Sequence, residues 1–242
     1  MDFLKGNIRS LYFKYLAAAF GSALITSVYS IVDMAMVGQY QGPEGTAALA
    51  VVAPIWNIIY SLGLLMGIGG SVIYSLIKGQ AESSGQREYQ YFSMAVIGSF
   101  ILAAVSWAVI VFFDSELLTF FGAEGNLLPL AKAYMIPIKF VLPCFLFTQM
   151  LSAFLRNDNN PTLATLGTLS GGVFNIFGDY IFVFVFDMGI FGAGLATAIG
   201  AVISLVVMLT HFFSKKNSLV FVRPENFFSK FGRITVTGFS TF

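Results

Sequence analysis

Six apolar runs, each long enough to cross a bilayer, leave this chain few ways to fold. They cover roughly residues 12–39, 53–77, 91–113, 129–152, 161–186 and 190–213. A helix rising 1.5 Å per residue needs about 20 residues to cross ~30 Å of hydrocarbon. The runs are continuous rather than alternating, so they read as helices that satisfy their own backbone groups, not as strands of a barrel. Composition agrees: only 10% of the residues are charged and the mean hydropathy is +0.82, where soluble domains carry about 25% charge. The chain is therefore read as an all-α, multi-pass membrane protein.

The N-terminal MDFLKGNIRSLYFKY lacks the short apolar core and small-residue cleavage site of a signal peptide, so the first run is read as a retained span. Charge then orients the spans. With alternating crossings, Lys5, Arg9, Lys14, Lys78, Arg87, Arg156, Lys215, Lys216, Arg223, Lys230 and Arg233 fall on one side, and Lys132 and Lys139 toward the other. That bias places the N-terminus, the 78–90 and 153–160 loops and residues 214–234 in the cytoplasm of a cell-membrane protein. The 41–52 and 114–128 connections and the turn at 187–189 then face outward. A net charge of +1 gives no reason to expect a nucleic-acid partner. The single Cys144 cannot form an intrachain disulfide and reads as a packing residue.

Orientation lets depths be compared. Asp33 and Asp179 each lie about seven residues inside the outer end of spans one and five, and Thr197 about seven residues after the outer start of span six, which puts all three ~10 Å below the outer surface. Asn175 precedes Asp179 by one turn on the same helix face. A carboxylate at such depth costs at least ~2.5–3.5 kcal/mol on insertion scales and usually faces a bundle interior or a wet cavity. Two of them at one level, with polar neighbours, point to a cation site.

Other features have plainer readings. Gly63 and Gly67, Gly167 and Gly171, and Gly189, Gly192, Gly194 and Gly200 are small residues at helical spacing, suited to close helix contacts. Pro54, Pro137 and Pro143 can bend spans two and four. The tyrosines at 12, 15, 29, 40, 60 and 74 and the FGDYIFVFVF cluster read first as lipid or interface contacts. A cavity lined by such rings would suit flat organic cations. Met34, Met36 and Met66 could add an adaptable wall. Asp114, Glu116, Glu124, Asp187, Glu82, Glu88 and Glu225 read as solvated, Lys139 as snorkelling to the outer headgroups, and His211 as interfacial, with a proton-carrier role as its alternative.

IVDMAMVGQY in span one, LRNDNNPTLA before span five, and NIFGDYIFVFVFDMGIFGAGLATAIG through spans five and six closely resemble the multidrug and toxic compound extrusion (MATE) family, in particular its DinF-like branch. The resemblance runs from about residue 10 to the C-terminus. It implies an antiporter that expels organic, often cationic, compounds in exchange for sodium ions or protons, with no cofactor and no enzymatic activity. It implies twelve helices in two six-helix lobes around a central cavity, and a first-lobe cation site, able to hold sodium, made of Asp33, Asn175, Asp179 and Thr197. Some first spans of the family carry a proline; this one has none. Family chains are also about twice as long. The expected organisation is a six-helix N-terminal lobe over 1–213, a cytoplasmic interlobe linker over 214–234, and the cut-short start of a seventh helix over 235–242.

The expected partners are the lipid bilayer, a small organic substrate, and a missing C-terminal lobe or a second copy of the chain. The alternatives are a flippase for lipid-linked substrates and an inactive half-transporter fragment. An intramembrane aspartyl protease is a third, but Phe177-Gly178-Asp179 lacks the leading glycine of its signature and Asp33 follows Val32 rather than Tyr.

Overall fold

A computed structural model of the chain describes the backbone of residues 8–80 and 87–239. Expectations resting on Lys5, Glu82 and residues 240–242 lie outside the described residues. Each apolar run forms one helix: α1 (Ile8–Gln41), α2 (Pro43–Gly79), α3 (Arg87–Phe112), α5 (Leu127–Asn157), α6 (Pro161–Asp179) and α7 (Gly189–Leu209). A short helix, α4 (Asp114–Phe120), lies between α3 and α5, and α8 (Phe227–Phe239) closes the described chain. The described residues contain no strand. Among the described residues six helices are long and apolar enough to cross a membrane, and the protein is a multi-pass membrane protein.

Local sequence sets the helix boundaries. Pro43 and Pro161 occupy the first turns of α2 and α6, where a missing N–H leaves no hydrogen bond unmade. Gly42 turns the chain from α1 into α2 at φ 74°, a conformation that costs glycine little. Pro54 lies inside α2, and Pro137 and Pro143 inside α5. Each removes one rung of the ladder without ending its helix.

The apolar core has two storeys, named outer and inner by the orientation expected from the loop charges. The outer one gathers Val52, Ile59, Ile138 and Leu142 with Leu118 of α4 and Ile190 of α7. The inner one gathers Met66, Tyr74, Met94 and Phe154 with Met208 of α7 and Ile234 of α8. α2 and α5 run through both and form the spine. In lipid such helices are held by close packing and polar contacts, since burial against a neighbour removes little water.

Two expectations change. The helix expected from 235 begins at Phe227. Phe227, Phe231 and Ile234 recur every three or four residues and join the inner storey, while Lys230 and Arg233 interrupt the run and hide it from a hydropathy reading. Asp114 is not simply solvated: Lys139 Nζ lies 2.6 Å and Lys132 Nζ 3.4 Å from its carboxylate oxygens. Burial pushes the Asp114 carboxyl up, but the hydrogen bond and charge of Lys139, then the charge of Lys132, outweigh it and hold the group below the usual range. Lys139 thus reaches a carboxylate on α4.

Candidate functional site

Two close helix crossings build the site. α6 and α7 touch backbone to backbone, with a Cβ on Gly200 falling 2.8 Å from the Gly171 carbonyl oxygen. Gly194 on α7 faces the backbone of Tyr134 on α5, where a Cβ would lie 3.0 Å from the carbonyl carbon. A side chain at either glycine would force the helices apart. Asn175 follows Gly171 by one turn, and Thr197 lies between Gly194 and Gly200, so the crossings bring Asn175, Thr197 and Tyr134 together. α1 packs across α6 and carries Asp33 into the same place.

The four sequence-derived residues fall into one network with a fifth. The Asn175 amide nitrogen donates to Thr197 Oγ1 (3.1 Å) and, at 3.5 Å, to Asp179 Oδ1. Tyr134 donates its hydroxyl to Asp33 Oδ2 (3.0 Å). A phenol has one hydrogen, so across the 3.4 Å contact Tyr134 accepts from the Thr197 hydroxyl. The network therefore has a direction. Asn175 gives hydrogens both ways, directly to Asp179 and through Thr197 and Tyr134 to Asp33.

Asp33 is 8% exposed and Asp179 fully buried. Three buried acceptor oxygens in this network have no hydrogen-bond partner: Asp33 Oδ1, Asn175 Oδ1 and Asp179 Oδ2. Buried polar atoms are nearly always paired, because leaving one dry costs ~1–3 kcal/mol. Acceptors alone call for a donor or a positive charge: a water, a proton or a cation. Among the described residues no group of three or more His, Cys, Asp and Glu side chains converges as a metal centre. An ion held here would take amide and hydroxyl oxygens beside the two carboxylates, a hard oxygen set that does not favour soft metals.

The network borders a cavity of about 400 Å³, within the range of small-molecule sites. Asp33, Asn175, Thr197 and Tyr134 line it, and Asp179 lies behind Asn175, out of the lining. Tyr29, Trp56, Tyr60 and Phe145 supply aromatic walls, Asn57 and Gln149 supply amides, and among the described residues Asp33 is the one charged lining residue. Of the methionines and tyrosines singled out from the sequence, Met34, Tyr29 and Tyr60 reach the cavity. Met66 and Tyr74 sit in the inner core instead.

Sequence reasoning missed Tyr134, Trp56, Asn57 and Gln149. The available signal was periodic: Trp56, Asn57 and Tyr60 fall at helical spacing on one face of α2. Also missed was the π-helical turn Tyr180–Val185, which follows Asp179 directly. There Phe186 N–H donates to Ile181 O (2.8 Å), five residues back. Such turns are frequent at functional sites.

The family model described as MatE matches residues 18–181. Multidrug export protein MepA of Staphylococcus saprophyticus is 28% identical over 206 residues, which is 84% of this chain and 45% of that protein. MepA of Staphylococcus aureus strain MSSA476 is 27% identical over 195 residues, 81% of this chain and 42% of that protein. An outward-facing multidrug resistance MATE family transporter of the MOP superfamily matches with TM-score 0.81 and 22% identity, over 93% of this chain and 51% of its own. An inward-facing structure, similarly described, matches with TM-score 0.79 and 22% identity, over 88% of this chain and 48% of its own. The chain spans about half the length of the relatives it matches.

Proposed function

Because this chain belongs to the MATE family, we propose that it is the N-terminal six-helix lobe of an antiporter that exports organic, often cationic, compounds in exchange for sodium ions or protons. The observation that carries the reading is the set of three unpartnered acceptor oxygens on Asp33, Asn175 and Asp179. A proton on either carboxyl, or a sodium ion held by Asp33, Asn175, Asp179 and Thr197, supplies the missing positive charge. This residue set is the one the DinF-like resemblance implies.

Coupling follows from sharing. Asp33 belongs both to the polar network and to the cavity wall, so a cation held by Asp33 removes the charge that attracts a cationic substrate. Binding at one site then weakens binding at the other, reciprocally. The aromatic walls suit a flat, apolar cation through ring contacts, in keeping with the multidrug export for which the MepA relatives are named. The charge bias of the loops supports a cytoplasmic N-terminus. A second wall, from a following lobe or a second copy of the chain, completes the path; residues 1–213 are the lobe and 214–226 the link to α8.

The test is Asp179→Asn in the complete transporter, assayed in vesicles with an imposed sodium or pH gradient. The variant is expected to keep dye binding and lose gradient-driven dye efflux, and the gradient that drives wild type names the ion. Efflux by the variant at the wild-type rate overturns the assignment.

A further inference from the structure

After α7 and the 3-10 turn Thr210–Phe213, residues 214–226 cross the cytoplasmic side of the bundle with no regular structure. They are nonetheless held closely, and Asp158, in the short connection between α5 and α6, is the centre of the hold. Its Oδ2 accepts from the Ser218 backbone N–H at 2.9 Å and lies 2.8 Å from His211 Nε2. Its Oδ1 accepts from Lys78 Nζ at 3.2 Å and from the Ser218 hydroxyl. Lys78 also reaches the Ser218 hydroxyl, and the Tyr74 hydroxyl donates to the Ser218 carbonyl at 3.1 Å.

The amide nitrogen of Asn160 faces His211 Nδ1 at 3.1 Å. That ring nitrogen therefore accepts, and Nε2 carries the hydrogen given to Asp158. His211 is 0% and Asp158 1% exposed, so the interfacial setting expected for His211 is replaced by full burial. Burial pushes the Asp158 carboxyl up, yet the Ser218 hydroxyl and N–H, His211 and Lys78 bring it below the usual range. A carboxylate removed from water needs such compensation, and the 214–226 stretch supplies two of the four donors. Beyond Ser218 the stretch stays down: Leu219 is buried, Val222 N–H donates to Ser93 Oγ at 2.8 Å, and Glu225 N–H to Gln90 Oε1 at 3.2 Å.

We propose that Asp158, with Lys78, His211 and Ser218, is a clasp that makes residues 214–226 a fixed strap of the six-helix bundle, registering α8 to the cytoplasmic ends of α2 and α7. A free tether would let α8 move without disturbing the bundle; a clasped strap does not. The inference is independent of what the protein carries.

Amide hydrogen exchange on the detergent-solubilised chain tests it. Peptides within 216–223 are expected to exchange slowly in wild type and at least tenfold faster in Asp158→Asn, with α5 and α7 peptides unchanged. Wild-type exchange at the rate of unstructured peptide, or equal protection in the variant, overturns the clasp. If Asp158→Asn unfolds α5 and α7 as well, Leu219→Cys in a Cys144→Ser background decides. With Ser218 intact, a water-soluble maleimide is expected to label Cys at 219 slowly, and Ser218→Ala to speed labelling several-fold. Equal, fast labelling in both overturns the proposal.

Discussion

Replacing Gly200 by Ala weighs three opposing effects at the α6–α7 crossing. The added Cβ would lie 2.8 Å from the Gly171 carbonyl oxygen, whereas ordinary contact begins near 3.4 Å, so the helices must part by about 0.6 Å. The Asn175 to Thr197 hydrogen bond, now 3.1 Å, then stretches to about 3.7 Å and is lost. Overpacking costs about 1–3 kcal/mol and the lost bond about 1 kcal/mol. Alanine returns ~0.8–1 kcal/mol of helix propensity. The balance is about 1–3 kcal/mol of destabilisation, or roughly 2–12 °C in Tm at the ~2–4 °C per kcal/mol of domains this size. The assay is thermal unfolding in detergent, with Gly232→Ala as reference. Gly232 lies inside α8 with nothing within 4 Å of a Cβ, so that variant should melt at or slightly above wild type. A Gly200→Ala Tm equal to or above that of Gly232→Ala would refute the backbone contact and the route by which it sets Asn175 against Thr197.

Tyr134→Phe leaves both Asp33 oxygens without a partner, and should cost about 1–3 kcal/mol; in an Asp33→Leu background the same change should cost at least ~1 kcal/mol less, read as a double-mutant cycle of unfolding free energies. Asp114 is held below the usual carboxyl range, so its ion pairs stabilise above the unfolded value near ~3.9 and lose their effect as pH falls through the folded value. Asp114→Asn should therefore lower the unfolding free energy at pH 7 by no more than ~1 kcal/mol, the pairs being partly exposed, and the deficit should begin to shrink below about pH 4 and close once pH is under the folded value.

Much of the architecture was legible because the bilayer enforces it. Apolar runs such as 161–186 had to be helices of a fixed length, and matched depth singled out Asp33, Asp179 and Thr197 without any knowledge of the contacts between them. Tyr134 escaped because a tyrosine in an apolar span looks the same whether it faces lipid or donates to a carboxylate 101 residues away. The pairing of Asp158 with His211 spans 53 residues and depends on where α7 ends, which no local pattern states. α8 was displaced because charges on its outer face broke a run whose inner face is continuous.

The widened turn after Asp179 has a consequence for how the outer half of this hairpin tolerates change in length. Each residue of an ordinary helix advances the azimuth by about 100°, and the π-helical turn spreads its chain over a longer loop per hydrogen bond. Deleting one residue from Phe182–Phe184 would let the turn relax to ordinary pitch, and because the shortened segment at that pitch covers nearly the arc of the wide turn, Asp179 and Asp187 would both keep their directions. Inserting a residue there finds no such slack and would turn Asp187 and the first turn of α7 by about a quarter of a circle, so a deletion is expected to spare the Asn175–Thr197 contact where an insertion would break it.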